Sequence, residues 1–239
     1  EPEPENPAQV LFQDDHLVVA DKPHFMPVTP SGRFVRRSLL VQLKQRLGLP
    51  DLSPVHRIDR DTAGLVVLAT RPQDRDAYQR LFRDRAVHKR YEAVADAPGP
   101  GRLWPVLRRS RIIEEEGRFF RMVEAQGEPN SETRIEVAAV DGDLALYRLE
   151  PVTGRRYQLR VHMAALGLPL AGHAFFPTVR HGPGEPDDRA HPLQLLARGL
   201  RFTDPLTGQE RRFRSRMRLA AWPAHADPAY DHEVEFSGP

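Results

Sequence analysis

The 239-residue sequence contains no cysteine. Disulfide frameworks, thiolate metal sites and cysteine nucleophiles are therefore excluded. Lysine is almost missing as well. Lys22, Lys44 and Lys89 are the three lysines among 35 basic residues, and the rest are arginine. Arginine's planar fork matches phosphate and carboxylate geometry and stacks on bases. The composition is compatible with nucleic acid, while an arginine-rich proteome accounts for the bulk of it. No stretch reaches the roughly 18 apolar residues that a membrane helix needs. No secretory leader is visible, and the expected setting is a soluble cytoplasmic protein. The chain opens on EPEPENPAQ. Residues 1–9 read as a polar linker, with the natural protein expected to continue upstream.

Hydrophobic residues make up 40% of the chain, enough for a sizeable core,. Residues 10–23, VLFQDDHLVVADKP, read as a hairpin about Asp14 and Asp15,. Residues 38–50 read as a helix that Ser38 caps and Gly48 and Pro50 stop,. A buried strand is expected over 65–69, a helix after Thr70 with Tyr78, Leu81 and Phe82 inward, and a strand over 87–95,. Residues 97–117 read as irregular. Residues 133–152 form a hairpin about Asp141-Gly142. Thr153 is expected to cap a helix that carries Tyr157, Leu159, Arg160, Met163 and Ala164 and ends near Gly167. Residues 193–215 read as strand, turn, strand. Hairpins mixed with a few helices imply an α+β fold. Neither a repeat nor a clean domain break is visible, and residues 221–239 are a weakly patterned tail.

One stretch concentrates charge. Residues 56–64 read HRIDRDTAG, and the apolar run LVVLA follows at once. A carboxylate beside Arg57 and Arg60 stays ionised, because nearby positive charge favours the charged form. An ionised aspartate is a plausible nucleophile at a sugar carbon. Gly64 permits a tight turn or a close backbone approach. The plain alternative is a surface salt-bridge turn, which is the commoner meaning of such a composition.

HRIDRDTAGLVVLA resembles the HRLDxxTSGL signature of the RluA-type pseudouridine synthases, enzymes that convert uridine in structured RNA to its C-glycoside isomer. Other blocks resemble that family in the same order: LVVADKPHFMPVTPSG at 17–32, VHKRYEAVA at 87–95, VTGRRYQLRVHMAALGLPLAGHAFFP at 152–177 and LQLLARGLRFTDPLTG at 193–208. The resemblance implies a single α+β catalytic domain over 10–220, with a mixed, mainly antiparallel central sheet and flanking helices. It implies that Asp59 is the catalytic aspartate. Tyr91 is the tyrosine that packs on the target base and is implicated in proton transfer, and Arg160 is the arginine that pairs with the aspartate. Arg57 matches a residue that fills the gap left by a flipped nucleotide, and Leu195 or Leu196 an apolar residue against the base. His56, Thr62 and Lys22 join them as candidate substrate contacts, Lys22 either positioning backbone or meeting phosphate.

The expected partner is structured RNA, ribosomal or transfer, with a monomeric enzyme and no cofactor or metal. None of His56, His162 and His173 has metal-ligand spacing. Asp61 reads as turn chemistry. Arg33, Arg36, Arg37, Arg108, Arg109 and Arg111 are candidate phosphate contacts, with a solvated arginine the plain alternative for each. Tyr157 stands where the family commonly has histidine, His173 where aspartate is common, Phe176 where tyrosine is frequent and Ala63 where serine is usual. Two rivals stay open: a noncatalytic RNA-binding or folding protein that retains this fold, and an N-glycosidase that releases free uracil.

Overall fold

The computed structural model describes residues 7–30, 36–172 and 187–226. In chain order the strands are β1 (Gln9–Gln13), β2 (Leu17–Lys22), β3 (Ser53–Pro54), β4 (Ala63–Ala69), β5 (His88–Asp96), β6 (Val106–Glu115), β7 (Arg118–Ala125), β8 (Ser131–Asp141), β9 (Leu144–Pro151), β10 (Leu195–Thr203) and β11 (Glu210–Arg214). The helices are α1 (Leu39–Leu47), α2 (Arg75–Arg83) and α3 (Gln158–Ala165). The fold is α+β, and the chain divides into two compact units. Of the described residues, the first unit holds 7–30, 36–89 and 197–217, and the second 90–172, 187–196 and 218–226.

In the first unit β1 pairs with β2, β2 with β4 and β10 with β11, all antiparallel, while β3 adds to β4 and β4 lies beside β10. Every residue of β2 and β4 is buried. Burial on both faces explains why β4 and the first four residues of β2 read as apolar runs instead of alternating ones, while Asp21 and Lys22 are buried with their polar partners,. One face packs Leu17, Val19, Leu65, Val67, Leu200 and Phe202 against Tyr78 of α2. Each such side chain contributes about 1.5–3 kcal/mol when fully buried. The Tyr78 hydroxyl donates to Asp204, 3.0 Å away. α1 begins as expected, with the Ser38 hydroxyl accepting from the Val41 N–H, and ends on Gly48 in the left-handed region. Gly64 has φ +109°, and a Cβ placed there would lie 2.3 Å from the Ala197 carbonyl oxygen. Only glycine lets β4 pass its neighbour so closely.

In the second unit the order is β5-β9-β8-β6-β7, antiparallel throughout. Ala93, Ile135, Tyr147 and Leu149 on one face meet Leu159 and Met163 of α3. Elsewhere on this sheet Arg90 and Arg134 reach Glu150, and Arg134 and Arg148 reach Glu136. Opposite charges on neighbouring strands favour this register.

Two expectations are corrected here. Residues 97–117 are not irregular throughout, because β6 occupies Val106–Glu115 and pairs on both sides. Its arginines masked the strand, yet Arg108 pairs with Glu124 of β7 and Arg109 with Glu132, its direct partner on β8. Thr153 does not cap α3. The helix starts at Gln158, and the Thr153 hydroxyl instead accepts from the Glu132 N–H and donates to the Gln158 side chain.

Candidate active site

The HRIDRDTAG stretch leaves β3 and returns into β4 as a turn held from several sides within the first unit. The Val67 N–H donates to His56 Nε2 at 3.0 Å, and the imidazole stacks on Phe82 with ring centroids 4.2 Å apart. Burial first, and the Lys89 charge second, push the His56 pKa down to about 3, so the ring is neutral. Lys89 is itself drawn down to about 8, by burial and then by Arg85. Lys22, fully buried at the end of β2, donates to the carbonyls of Pro23 and Arg60, each at 3.0 Å. His24 Nδ1–H donates to the Asp61 carbonyl at 2.7 Å. The Thr62 N–H closes the turn on the Asp59 carbonyl at 3.1 Å. Arg60 pairs with Asp61 and lies over the ring of Phe25, whose φ is +62°.

Asp59 therefore projects from a backbone whose carbonyls at 59, 60 and 61 are each bonded to a group of the same unit. It is half-buried. Arg57, two residues earlier, is exposed, with no hydrogen bond or ion pair among the described residues. Of the two roles expected for Lys22, the structure shows the positioning of backbone. Lys22 and Thr62 are both buried, Lys22 acting on backbone carbonyls and Thr62 through its N–H. Asp61 serves the turn. Buried Ala63 follows it.

Tyr91, Arg160, Leu195 and Leu196 belong to the second unit. Tyr91 is half-buried on β5, opposite Leu149 of β9, and packs on the core under α3. Leu195 and Leu196 are both buried at the start of β10, Leu195 in the cluster with Leu159 and Met163. Arg160 is 2% exposed, so its charge is held away from bulk water. Its guanidinium carbon lies 4.6 Å from the centre of the Tyr157 ring.

A relay that sequence reasoning did not find fixes α3. Gln158 Oε1 accepts from the Thr153 hydroxyl and the Arg155 N–H, and its Nε2 donates to the Glu132 carbonyl and to Thr133 Oγ1. His162 Nδ1 lies 2.9 Å from that same Thr133 oxygen, and its Nε2 lies 3.0 Å from Ser131 Oγ. The Ser131 hydroxyl donates to the Ser110 carbonyl, so it can only accept from His162. The network therefore assigns a neutral imidazole with its proton on Nε2. Burial keeps it neutral, with a pKa near 4. Gln158 and His162, four residues apart, anchor one side of the helix, and Arg160 projects between them on the other.

Among the described residues no group of three His, Cys, Asp or Glu side chains could hold a metal ion. Arg36 and Arg111 are exposed and Arg37 is half-buried. Arg108 and Arg109 pair with Glu124 and Glu132, and Arg109 keeps more than half of its side chain exposed. Arg33, His173 and Phe176 lie outside the described residues.

The family profile described as RNA pseudouridylate synthase matches residues 16–165, a span that includes Asp59, Tyr91 and Arg160. The chain belongs to the RNA pseudouridylate synthase family. This synthase is 31% identical over 219 residues to the dual-specificity RNA pseudouridine synthase RluA of Escherichia coli K12, covering 86% of this chain and 91% of that one. It is also 31% identical over 172 residues to the mitochondrial tRNA pseudouridine(32) synthase of Saccharomyces cerevisiae. That match takes in 71% of this chain and 37% of the yeast protein. Among solved structures, human RNA pseudouridylate synthase domain containing 4 superposes with a TM-score of 0.68 at 27% identity, covering 89% of this chain and 88% of that chain. The synthase is thus an RNA-modifying isomerase of the RluA type.

Proposed function

We propose that Asp59 acts on the sugar of a uridine everted from structured transfer or ribosomal RNA. The net chemistry breaks the N1–C1′ bond and forms a C5–C1′ bond. C5 loses a proton and N1 gains one, so substrate and product are isomers and no redox partner enters the balance. Asp59 either attacks C1′ or removes a proton from C2′ to give a glycal. Tyr91 offers a ring to stack on uracil and a phenol to relay the C5 proton. Arg160 keeps the role that the motif gives it, orienting the aspartate and favouring its charged form. Eversion costs on the order of a few kcal/mol, and the planar, charged head of Arg57 offsets part of that in the vacated stack.

The observation that carries this reading is the pinned turn. Three consecutive carbonyls about Asp59 are bonded within the turn's own unit, while Arg57 beside them is exposed and has no partner among the described residues. A carboxylate so mounted is preorganised, and an arginine so placed is available to nucleic acid.

The test is isomerisation of uridine in transfer and ribosomal RNA by the purified protein without added cofactor. Asp59→Asn is expected to lower the rate by roughly four orders of magnitude while RNA binding persists. Normal modification by that variant would overturn the assignment. RNA binding without isomerisation by the unaltered protein would favour the noncatalytic rival, and release of free uracil the glycosidase. Cytoplasmic residence and a monomeric state belong to the same proposal and are read by cell fractionation and sedimentation.

A further inference from the structure

We propose that Tyr157 is a positioning residue for Arg160, its ring setting the plane in which the buried guanidinium lies. This rests on the role given to Arg160 above. Tyr157 directly precedes α3 and has φ +55° and ψ +18°, a left-handed conformation that L side chains rarely adopt. Helix entry does not require it, since an N-cap residue normally has extended backbone. What this conformation accompanies is a ring laid over the first turn, 4.6 Å from the Arg160 guanidinium carbon and 4.8 Å from that of Arg156. The ring is half-buried against Ile112, Met122 and Val161. Its edge is fixed by apolar neighbours while its π-electrons face cations.

Burying a guanidinium is costly unless its surroundings compensate, and an aromatic face is one such compensation, strongest where water is excluded. Arg160 is 2% exposed, whereas Arg156 has 45% of its side chain in water. The ring therefore constrains Arg160 far more than Arg156. Below Arg160 the helix is locked by Gln158 and His162. That relay fixes where the arginine starts, and Tyr157 fixes how its head is tilted. A carboxylate recognised by a planar fork responds to that tilt.

Glycine separates the ring from the backbone, because it adopts the left-handed conformation without strain. Tyr157→Gly is expected to fold with a melting temperature lowered by several degrees, because it loses packing and the compensation of a buried charge, and to leave the apparent KM for RNA within about twofold, while kcat falls about tenfold. The rate is read as tritium released from transfer and ribosomal RNA labelled at uridine C5. Tyr157→Phe keeps the ring and is expected to restore most of the lost rate. In an Arg160→Ala background, Tyr157→Gly should have no further effect on kcat.

A Tyr157→Gly protein that folds and turns over normally overturns the proposal, as does a loss that Tyr157→Phe fails to restore or one that adds fully to Arg160→Ala. If Arg160→Ala by itself leaves kcat unchanged, the role given to Arg160 fails, and this proposal falls with it.

Discussion

The turn bearing Asp59 and the helix bearing Arg160 are both held rigidly, by opposite means. The turn is fixed through its backbone, as Lys22 and His24 reach carbonyls directly and His56 takes an N–H from β4. The helix is fixed through its side chains, with Gln158 and His162 relaying through hydroxyls on β6 and β8. The first device uses long polar side chains that reach the turn from β2 and the segment after it, far from it in sequence. The second uses neutral groups gathered from β6, β8, α3 and the loop that precedes α3. Loosening the turn should therefore displace the reactive carboxylate, whereas loosening the helix anchor should weaken the fold.

The most severe test addresses the first region. Gly64→Ala forces a Cβ against the Ala197 carbonyl at a left-handed φ, and should destabilise by about 4 kcal/mol, read by denaturant unfolding. Wild-type stability in that variant would mean that the close approach at β4 is not required.

The second test is pH. His162 has its pKa lowered from 6.5 to about 4, so the unfolded chain binds its proton first as pH falls. The contribution is fully present above pH 6.5 and is lost through about 4, with a slope of at most about 1.4 kcal/mol per pH unit and a total of about 3 kcal/mol. Unfolding free energies across that window should show this limb in the native protein and lack it in His162→Gln. Parallel curves would break the claimed neutrality of the relay.

A third test returns to the turn. Lys22→Met removes the Lys22 donor from the carbonyls of Pro23 and Arg60 and should lower kcat about a hundredfold by letting Asp59 drift. A change confined to stability would erase the contrast between the two regions. Arg109→Ala should do least, at about 0.5 kcal/mol or less, because its pair with Glu132 is largely exposed,. RNA affinity should stay within about twofold, since that arginine already has a carboxylate.

The turn was legible because its chemistry is contiguous: nine residues hold the charge, the aspartate and the glycine. The same contiguity exposed α1, whose serine cap and terminal glycine sit where their backbone conformations demand. The relay was not legible. Ser110, Ser131, Thr133, Thr153, Gln158 and His162 are ordinary polar residues scattered over more than fifty positions, and only the pairing of β6 with β8 brings the serines together. A faint signal existed on β8, where Ser131 and Thr133 alternate in phase with buried Ile135. β6 was hidden for a related reason. Its arginines suggest solvent, but their partners Glu124 and Glu132 lie on the adjoining strands. Thr153 looked like a cap because a helix follows, yet its hydroxyl was already committed to the relay.

The relay runs in one direction, from the Thr153 hydroxyl to the Ser110 carbonyl. Its central members Ser131, Thr133, Gln158 and His162 are buried, and replacing one leaves a neighbour's polar group without its partner away from water. Evolutionary drift here should proceed by joint replacement, with hydroxyls, amide and imidazole giving way to an apolar patch together or remaining together. A homologue that has exchanged its histidine at this position is expected to have exchanged the facing threonine as well.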